Sequence, residues 1–123
     1  MSVRWSSPLP ALLVALVTLS ANSAFGGPPD LARGRSTYKE LCAKCHGFTG
    51  KGDGKESGTL KTKPKDFTDC QRMAKIDDET RFNVVKGGGK KAGLSKDMPS
   101  FSEALEDDEI QDVLAFVRTL CPR

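Results

Sequence analysis

The chain contains 123 residues, of which 19 are Lys or Arg and 16 are Asp or Glu, giving a formal net charge of +3 at pH 7. From this length we expect one small domain. Only one histidine is present, which excludes a metal site built from several histidines.

The first 26 residues are typical of a secretory signal peptide. Arg4 is the only early charge, and it precedes an apolar run over residues 11–19 and small residues over 20–27. A membrane span would need about 20 apolar residues. We therefore expect a cleaved signal rather than the membrane tether that an uncleaved segment would form.

Cleavage is expected near residues 23–26. A cut after Ser23 places Ala21 at the minus-three position, and a cut after Gly26 places Ala24 there. The expected organisation is a signal peptide over 1–26, a linker over 27–30 and one domain over 31–123, exported to the periplasm.

A first helix is predicted over about residues 31–43. Asp30 is a suitable N-cap, and apolar or small residues recur at helical spacing from Leu31 to Cys42. Gly34 lies inside this helix, where glycine costs about 1 kcal/mol relative to alanine. We therefore expect Gly34 to allow another helix to approach closely.

The predicted helix leads into the run Cys42-Ala43-Lys44-Cys45-His46, a C-x-x-C-H motif that is typical of c-type haem attachment. Two thiols at this spacing can add to the two vinyl groups of one haem, and the imidazole of His46 is then held under the iron. Two other interpretations remain open. A redox dithiol would favour a βαβ context, and no strand-rich run precedes the motif. A zinc site needs four ligands, which would require both remaining cysteines.

Residues 47–69 show no periodicity and are rich in glycine and lysine. An ordered loop of this length is usually functional. A phosphate-binding loop is not indicated, because Lys55 is followed by Glu56 instead of Ser or Thr, and the acidic series of a calcium loop is missing.

Three more helices are predicted. A short one spans about 68–74, and a second spans 77–86 and ends at the glycines 87–89. The last helix is the clearest, because its apolar residues recur at intervals of three and four; they are Ile110, Val113, Leu114, Val117 and Leu120. Leu105 and Ile110 are expected to staple its start around Glu106. Since no convincing strand is present, the predicted fold is all-α.

Met98 is the predicted second axial ligand of the haem iron. A six-coordinate haem needs a ligand opposite His46, and methionine sulfur has this role in cytochromes c. Pro99 stiffens the segment. The alternative is Met73, but a methionine in an amphipathic helix is more often a core residue.

Cys70 and Cys121 remain once the motif cysteines are assigned to haem. An exported protein can form disulfides, so we expect these two cysteines to be bonded. The alternative is a pair of buried thiols.

These residues together resemble a small exported bacterial class I cytochrome c with one haem. The resemblance covers nearly all of residues 31–121 and rests on the motif at 42–46, the Gly-Lys-Gly-Asp-Gly run at 50–54, Met98-Pro99 and the terminal run 116–120. It implies about four short helices packed round one covalent haem c. It also implies that the first and last helices cross at Gly34 and Phe116, and that a loop carbonyl, for which Pro64 is the candidate, accepts the other ring proton of His46.

The expected function is one-electron transfer, without bond-making catalysis. Residues 44–96 carry 13 Lys or Arg and 7 acids, whereas residues 97–123 carry 2 and 7. A lysine-rich loop near the haem edge can steer an acidic redox partner, although a solvated surface without a steering role explains the same pattern. We expect a monomer that contacts redox proteins, binds no nucleic acid and meets membranes only through partner complexes.

Two alternatives to a free carrier remain. If Met98 were displaced, the protein would be a haem enzyme or a ligand-binding protein. It would instead be an electron-entry subunit if a membrane respiratory complex held it.

Overall fold

The computed structural model describes residues 1–2 and 26–121. The predicted signal peptide therefore lies almost entirely outside the described residues. Residues 26–121 contain helices α1 (Leu31–Thr37), α2 (Ala43–His46), α3 (Cys70–Met73), α4 (Asp78–Gly87) and α5 (Asp107–Thr119). A π-helical turn, Tyr38–Cys42, joins α1 to α2, and a 3₁₀ turn covers Ser57–Thr59.

No strand occurs among the described residues, and the all-α prediction is confirmed. The first predicted helix is a continuous helical path from Leu31 to His46, since α1, the π turn and α2 follow one another without a break. Within residues 1–2 and 26–121, no helix has both the length and the apolar character that crossing a membrane requires.

Helices α1 and α5 cross at Gly34, which is buried. A Cβ at this position would overlap the backbone carbonyl of Asp112, so the packing reason expected for Gly34 is confirmed. The resemblance implies a contact between Gly34 and Phe116, and the structure shows a different partner for each residue. Phe116 packs its ring against Tyr38, with centroids 5.1 Å apart, while the backbone of α5 at Asp112 and Val113 faces Gly34.

Asp112 fixes this crossing electrostatically. Its carboxylate is buried, with 2% of the residue exposed. It accepts a hydrogen bond from the backbone N–H of Asp30 at 2.7 Å and pairs with the guanidinium of Arg33. A buried carboxylate needs such partners, so the start of α1 is tied to the middle of α5.

The apolar stripe of α5 divides the core into two clusters. One cluster contains Tyr38, Ala43, Met73, Val113, Phe116 and Val117. The other contains Leu105, Ile110 and Leu114. The predicted staple of Leu105 and Ile110 is therefore present, and the backbone N–H of Glu106 donates to the Glu109 carboxylate at 2.9 Å.

Side chains cap two of the later helices. Asp69 accepts from the N–H of Arg72 at 3.1 Å at the start of α3, and Asp77 accepts from the N–H of Thr80 at 2.6 Å at the start of α4. Cys70, the first residue of α3, lies beside Cys121 after α5, with their Cα atoms 5.5 Å apart and their sulfur atoms in bonding contact. This separation is within the usual range for a disulfide.

Candidate functional site

A cavity of about 380 Å³ is lined by residues of α2, which is the motif helix, and of α4 and α5. This is within the range of small-molecule and cofactor sites, roughly 300–1,000 Å³. Its wall contains Cys42, Cys45, His46 and Met98. Most of its remaining wall is apolar and includes Leu41, Phe67, Ile76, Val84, Val85, Leu94, Phe101, Val113, Leu114 and Val117. The fold therefore brings both predicted thiols and both predicted iron ligands to one cavity.

The two motif thiols lie in different surroundings. Cys42 ends the π turn beside the core, and burial raises the pKa of its thiol to about 11. Burial and the nearby Glu56 carboxylate also raise the pKa of Cys45. Redox-active C-x-x-C pairs instead have a lowered thiol pKa, so these surroundings are unfavourable for the redox-dithiol interpretation.

His46 is fixed by two contacts on the loop side. Its Nδ1 lies 3.2 Å from the backbone carbonyl of Lys65, and its ring stacks on Phe67 with centroids 4.4 Å apart and an interplanar angle of 15°. Because a carbonyl only accepts, Nδ1 must carry the proton, which leaves the lone pair of Nε2 available for a metal. Burial lowers the pKa of His46, which favours the neutral ring.

Pro64 was the wrong candidate for this carbonyl. The carbonyl of Lys65, one residue later, faces His46, whereas the Pro64 carbonyl faces Gly52 closely enough to exclude a Cβ there. The prediction located the correct turn of the loop but not the correct peptide, because sequence does not specify which way a carbonyl points in an irregular segment.

The glycine-rich loop caps the motif helix. The N–H groups of Gly52, Gly54 and Glu56 donate to the carbonyls of His46, Cys45 and Lys44 at 2.8, 3.1 and 2.8 Å. The last carbonyls of a helix otherwise lack partners. A Cβ at Gly54 would overlap the Lys44 carbonyl, so the spacing of glycines lets the loop lie directly against the motif.

Tyr38 connects the π turn to this loop. The residue is fully buried, and its hydroxyl donates to the Gly47 carbonyl at 2.8 Å. Burial raises its phenol pKa, so the hydroxyl keeps its proton and remains a donor. The residue after the motif is thereby fixed against the helix that carries Cys42.

Met98 and Met73 both line the cavity. Met98 is half-buried in the segment after α4, where its carbonyl accepts from the N–H of Gly89 at 3.0 Å. Met73 is 7% exposed and packs in the core cluster with Tyr38 and Val117. These surroundings fit the predicted ligand role for Met98 and the predicted core role for Met73.

The segment before Met98 is linked to the loop that holds His46. The carboxylate of Asp97 accepts from the N–H of Lys61 at 3.0 Å, and both Asp97 and Leu60 line the cavity. The two loops that carry or support the predicted ligands are therefore joined across the cavity.

The zinc interpretation requires a different arrangement. In the part of the chain that the structure describes, no three His, Cys, Asp or Glu side chains come together as a metal site. Cys70 and Cys121 contact each other and do not line the cavity with His46.

Several contributing residues were not predicted. Lys65 and Phe67 hold His46, and Arg81 lines the cavity from α4. An aromatic residue at the end of a long loop signals a buried contact, but its partner depends on the path of the loop.

The donor set fits a covalently attached haem. Two thiols are available for thioether bonds, an oriented imidazole and a thioether are available as axial ligands, and the wall is mostly apolar. No other described group of side chains combines these donors.

Comparison with known proteins agrees with this chemistry. The family model described as "Cytochrome C oxidase, cbb3-type, subunit III" matches residues 29–117. A curated relative, the "Cytochrome bc1 complex cytochrome c subunit" of Corynebacterium diphtheriae, is 29% identical over 93 residues. The match covers 75% of this chain but only 28% of that relative.

Two solved structures share the fold. The "KustC0563 c-type cytochrome" aligns with a TM-score of 0.60 at 25% identity, covering 72% of this chain and 98% of that one. A chain of the "Kuenenia stuttgartiensis reducing HAO-like protein complex Kustc0457/Kustc0458" aligns with a TM-score of 0.52 at 26% identity, covering 80% of this chain and 48% of the other.

Proposed function

The chain belongs to the cytochrome c family described as cytochrome c oxidase, cbb3-type, subunit III, and from this premise we propose that it is a periplasmic one-electron carrier with His46 and Met98 as the axial ligands of its haem. The fold is that of a class I cytochrome c, and the cofactor is covalently bound haem c. The single observation that supports the proposed ligand set is the shared cavity of Cys42, Cys45, His46 and Met98.

When bound, the haem supplies a ferric–ferrous couple, and a thioether ligand and an apolar site both favour the ferrous form. The residues of this chain provide the rest. Cys42 and Cys45 supply the thioether bonds, while Lys65 and Phe67 keep the ring of His46 in one orientation. Gly89 and Asp97 hold the Met98 segment at the wall of the same cavity.

If His46 and Met98 both held the iron, no position would remain for a substrate, and the group would supply electron transfer alone at the exposed side of the site. Lys44, Lys63 and Lys65 are exposed and line the cavity, and they give that side local positive charge. An acidic partner surface would complement it.

A second candidate function is electron transfer within a larger assembly. The curated relative is named as a subunit of a bc1 complex, and one structural relative is part of a reducing HAO-like complex. Copurification from the native source distinguishes a bound subunit from a free carrier, because only the subunit elutes with partner chains.

The attachment test uses the exported chain and single alanine variants of Cys42 and Cys45. The wild type should give a pyridine haemochrome spectrum of the two-thioether type, and each single variant should give the one-thioether type. The double variant should release its haem into acidified organic solvent. Release of haem from the wild type would contradict the proposal.

The mass of the secreted chain also reports whether a cut occurs near residues 23–26.

A further inference from the structure

Asp66 lies between the two residues that hold His46. The carbonyl of Lys65 is 3.2 Å from Nδ1 of His46, and the ring of Phe67 stacks on the imidazole with centroids 4.4 Å apart. Asp66 itself is exposed and does not line the cavity. Its carboxylate must therefore be explained by partners outside the cavity.

The carboxylate of Asp66 closes a local turn with Thr68. Its Oδ1 accepts from the backbone N–H of Thr68 at 2.8 Å and from the Thr68 hydroxyl at 2.6 Å. An aspartate that accepts from the N–H two residues later forms an Asx turn, in which the side chain takes the place of a backbone turn. The backbone carbonyl of Asp66 also accepts from the N–H of Asp69 at 3.4 Å. Both acceptor groups of Asp66 thus bend the chain directly after Lys65.

The backbone around this turn has few other constraints. Residues 60–69 belong to no helix or strand, so their conformation depends on individual hydrogen bonds. The N–H of Phe67 donates to the Gly50 carbonyl at 2.7 Å, which fixes the turn to the glycine-rich loop. Because the Lys65 carbonyl and the Phe67 ring leave the chain on either side of Asp66, their relative positions follow from the conformation of Asp66.

We propose that Asp66 is a positioning residue for the imidazole of His46. Its carboxylate keeps Lys65 and Phe67 in one arrangement, and these two residues fix the Nδ1 proton and the ring plane of His46. This inference rests on the proposed function, in which Nε2 of His46 binds the haem iron. A hydrogen bond from the other ring nitrogen makes a metal-bound imidazole more basic, so the turn at Asp66 influences the iron through His46.

The test compares haem-loaded wild type with Asp66→Ala and Asp66→Asn. Both variants lose the same charge, but only asparagine keeps a side-chain oxygen that can accept from Thr68. In NMR spectra of the ferrous protein, the Nδ1 proton of His46 should move upfield and exchange faster with solvent in Asp66→Ala. Asp66→Asn should retain the position and the exchange rate of the wild type.

Midpoint potentials give a second comparison of the same two variants. A weaker hydrogen bond makes His46 a less basic ligand, and a less basic ligand stabilises ferric iron less. We expect the ferrous-to-ferric equilibrium of Asp66→Ala to exceed that of Asp66→Asn about threefold, or about 28 mV upward for one electron. The Nδ1 resonance and the potential should therefore change together in Asp66→Ala. If Asp66→Ala and Asp66→Asn had the same resonance and the same potential, the proposal would be overturned.

Asp30→Ala is the control for a purely structural role. Oδ1 of Asp30 also accepts from the N–H two residues later, that of Ala32, at 2.9 Å, and Asp30 does not line the cavity. Asp30→Ala should lower stability and leave the His46 resonance unchanged. If Asp66→Ala gave this same result, Asp66 would only stabilise its turn.

Asp66→Glu decides the question if Asp66→Ala does not accumulate. Glutamate keeps the charge, but its additional methylene group removes the Asx geometry, so the His46 resonance should move in the direction expected for alanine. An unmoved resonance in Asp66→Glu overturns the proposal. The proposed function and this inference fail separately. A wild type without covalent haem ends the proposed function, whereas haem-bearing variants with an insensitive His46 end only this inference.

Discussion

At the scale of single residues, the two cavity methionines differ in what holds them. Met73 belongs to α3 and is packed in the core between Tyr38 and Val117. Met98 lies in a short segment fixed by Gly89, where a Cβ would approach Met98 Cβ to 3.0 Å and would also overlap the Ser95 carbonyl. The absence of a side chain at residue 89 thus allows the Met98 segment to lie against the end of α4.

Met98→Ala should therefore alter the haem, whereas Met73→Ala should alter stability. Loss of the Met98 sulfur leaves water, hydroxide or lysine to bind the iron, and these harder donors favour the ferric state and lower the potential. Met73→Ala removes a buried side chain and should cost about 2–5 kcal/mol of unfolding free energy with an unchanged spectrum. Ferric spectra and redox titrations of both variants check this, and a high-spin Met73→Ala protein with an unaltered Met98→Ala protein would reverse the assignment.

The residue scale also shows what sequence can predict about the site. Cys42, Cys45 and His46 can be predicted from sequence, because the C-x-x-C-H spacing is typical of two thioethers with an adjacent iron ligand. The hydrogen-bond partner of His46 does not follow, since Lys65 and Pro64 are adjacent and differ only in the direction of a carbonyl. Arg81 was also not predicted, because a charged residue on an amphipathic helix is normally solvated.

At the scale of the elements, the crossing of α1 and α5 organises the fold. Gly34 removes the side chain that would separate the two helices, and Asp112 binds both Asp30 and Arg33 across the contact. This crossing sets the direction in which the π turn continues α1 toward Cys42. The attachment motif is thus positioned by helix packing that lies outside the cavity.

Gly34→Ala should destabilise the protein without changing its haem spectrum. The added Cβ overlaps the Asp112 carbonyl, and overpacking of this kind costs about 1–3 kcal/mol. Replacing glycine by alanine in a helix gains about 1 kcal/mol in helix propensity. The overpacking cost therefore exceeds this gain when it lies toward the upper end of its range. Gly58→Ala is the control, because nothing lies within 4 Å of a Cβ there. Denaturant unfolding of both variants checks this, and equal stability would show that the helices can separate at no cost.

The Cys70–Cys121 pair is the second element-scale prediction. Their separation of 51 residues implies a disulfide contribution of roughly 4 kcal/mol in the chain-entropy model. Thiol counting on the unreduced, unfolded protein should find no free thiol. The Cys70→Ser and Cys121→Ser double variant should unfold at lower denaturant with an unchanged haem spectrum. A count of two thiols in the wild type would contradict the bond.

The sequence predicted the helices better than the segments that connect them. The bounds predicted for α4, 77–86, lie within one residue of the observed Asp78–Gly87. The apolar stripe of α5 predicted a helix there without specifying its bounds. The π turn at Tyr38–Cys42 was not predicted, since it depends on burial of Tyr38 and its bond to the Gly47 carbonyl. The capping role of the glycine-rich loop likewise depends on long-range backbone contacts that have no local signature.

At the scale of the whole molecule, charge is divided along the chain. Residues 44–96 have a net charge of +6 and residues 97–123 have a net charge of −5. Many of the acidic residues of 97–123 lie near the start of α5. Some of them form ion pairs within the fold, as in Arg33–Asp108 and Lys86–Asp107. Several exposed lysines instead line the cavity.

Local positive charge at the cavity predicts a salt-dependent reaction with anions. The probe is ferricyanide, a small anionic oxidant, acting on the ferrous protein over a range of ionic strength. Because salt screens exposed charges over about 10 Å at 0.1 M, the second-order rate constant of the wild type should fall as ionic strength rises.

The double variant Lys44→Glu and Lys63→Glu reverses two charges that line the cavity, while Lys39→Glu and Lys75→Glu reverses two that do not. Both double variants have the same net charge, so a difference between them reports position alone. We expect the first to react more slowly at low salt and to lose most of its salt dependence, with the second closer to the wild type. Midpoint potentials of both variants correct for driving force. Equal rates and equal salt slopes in the two double variants would mean that overall charge governs encounter and that the cavity lysines have no steering role.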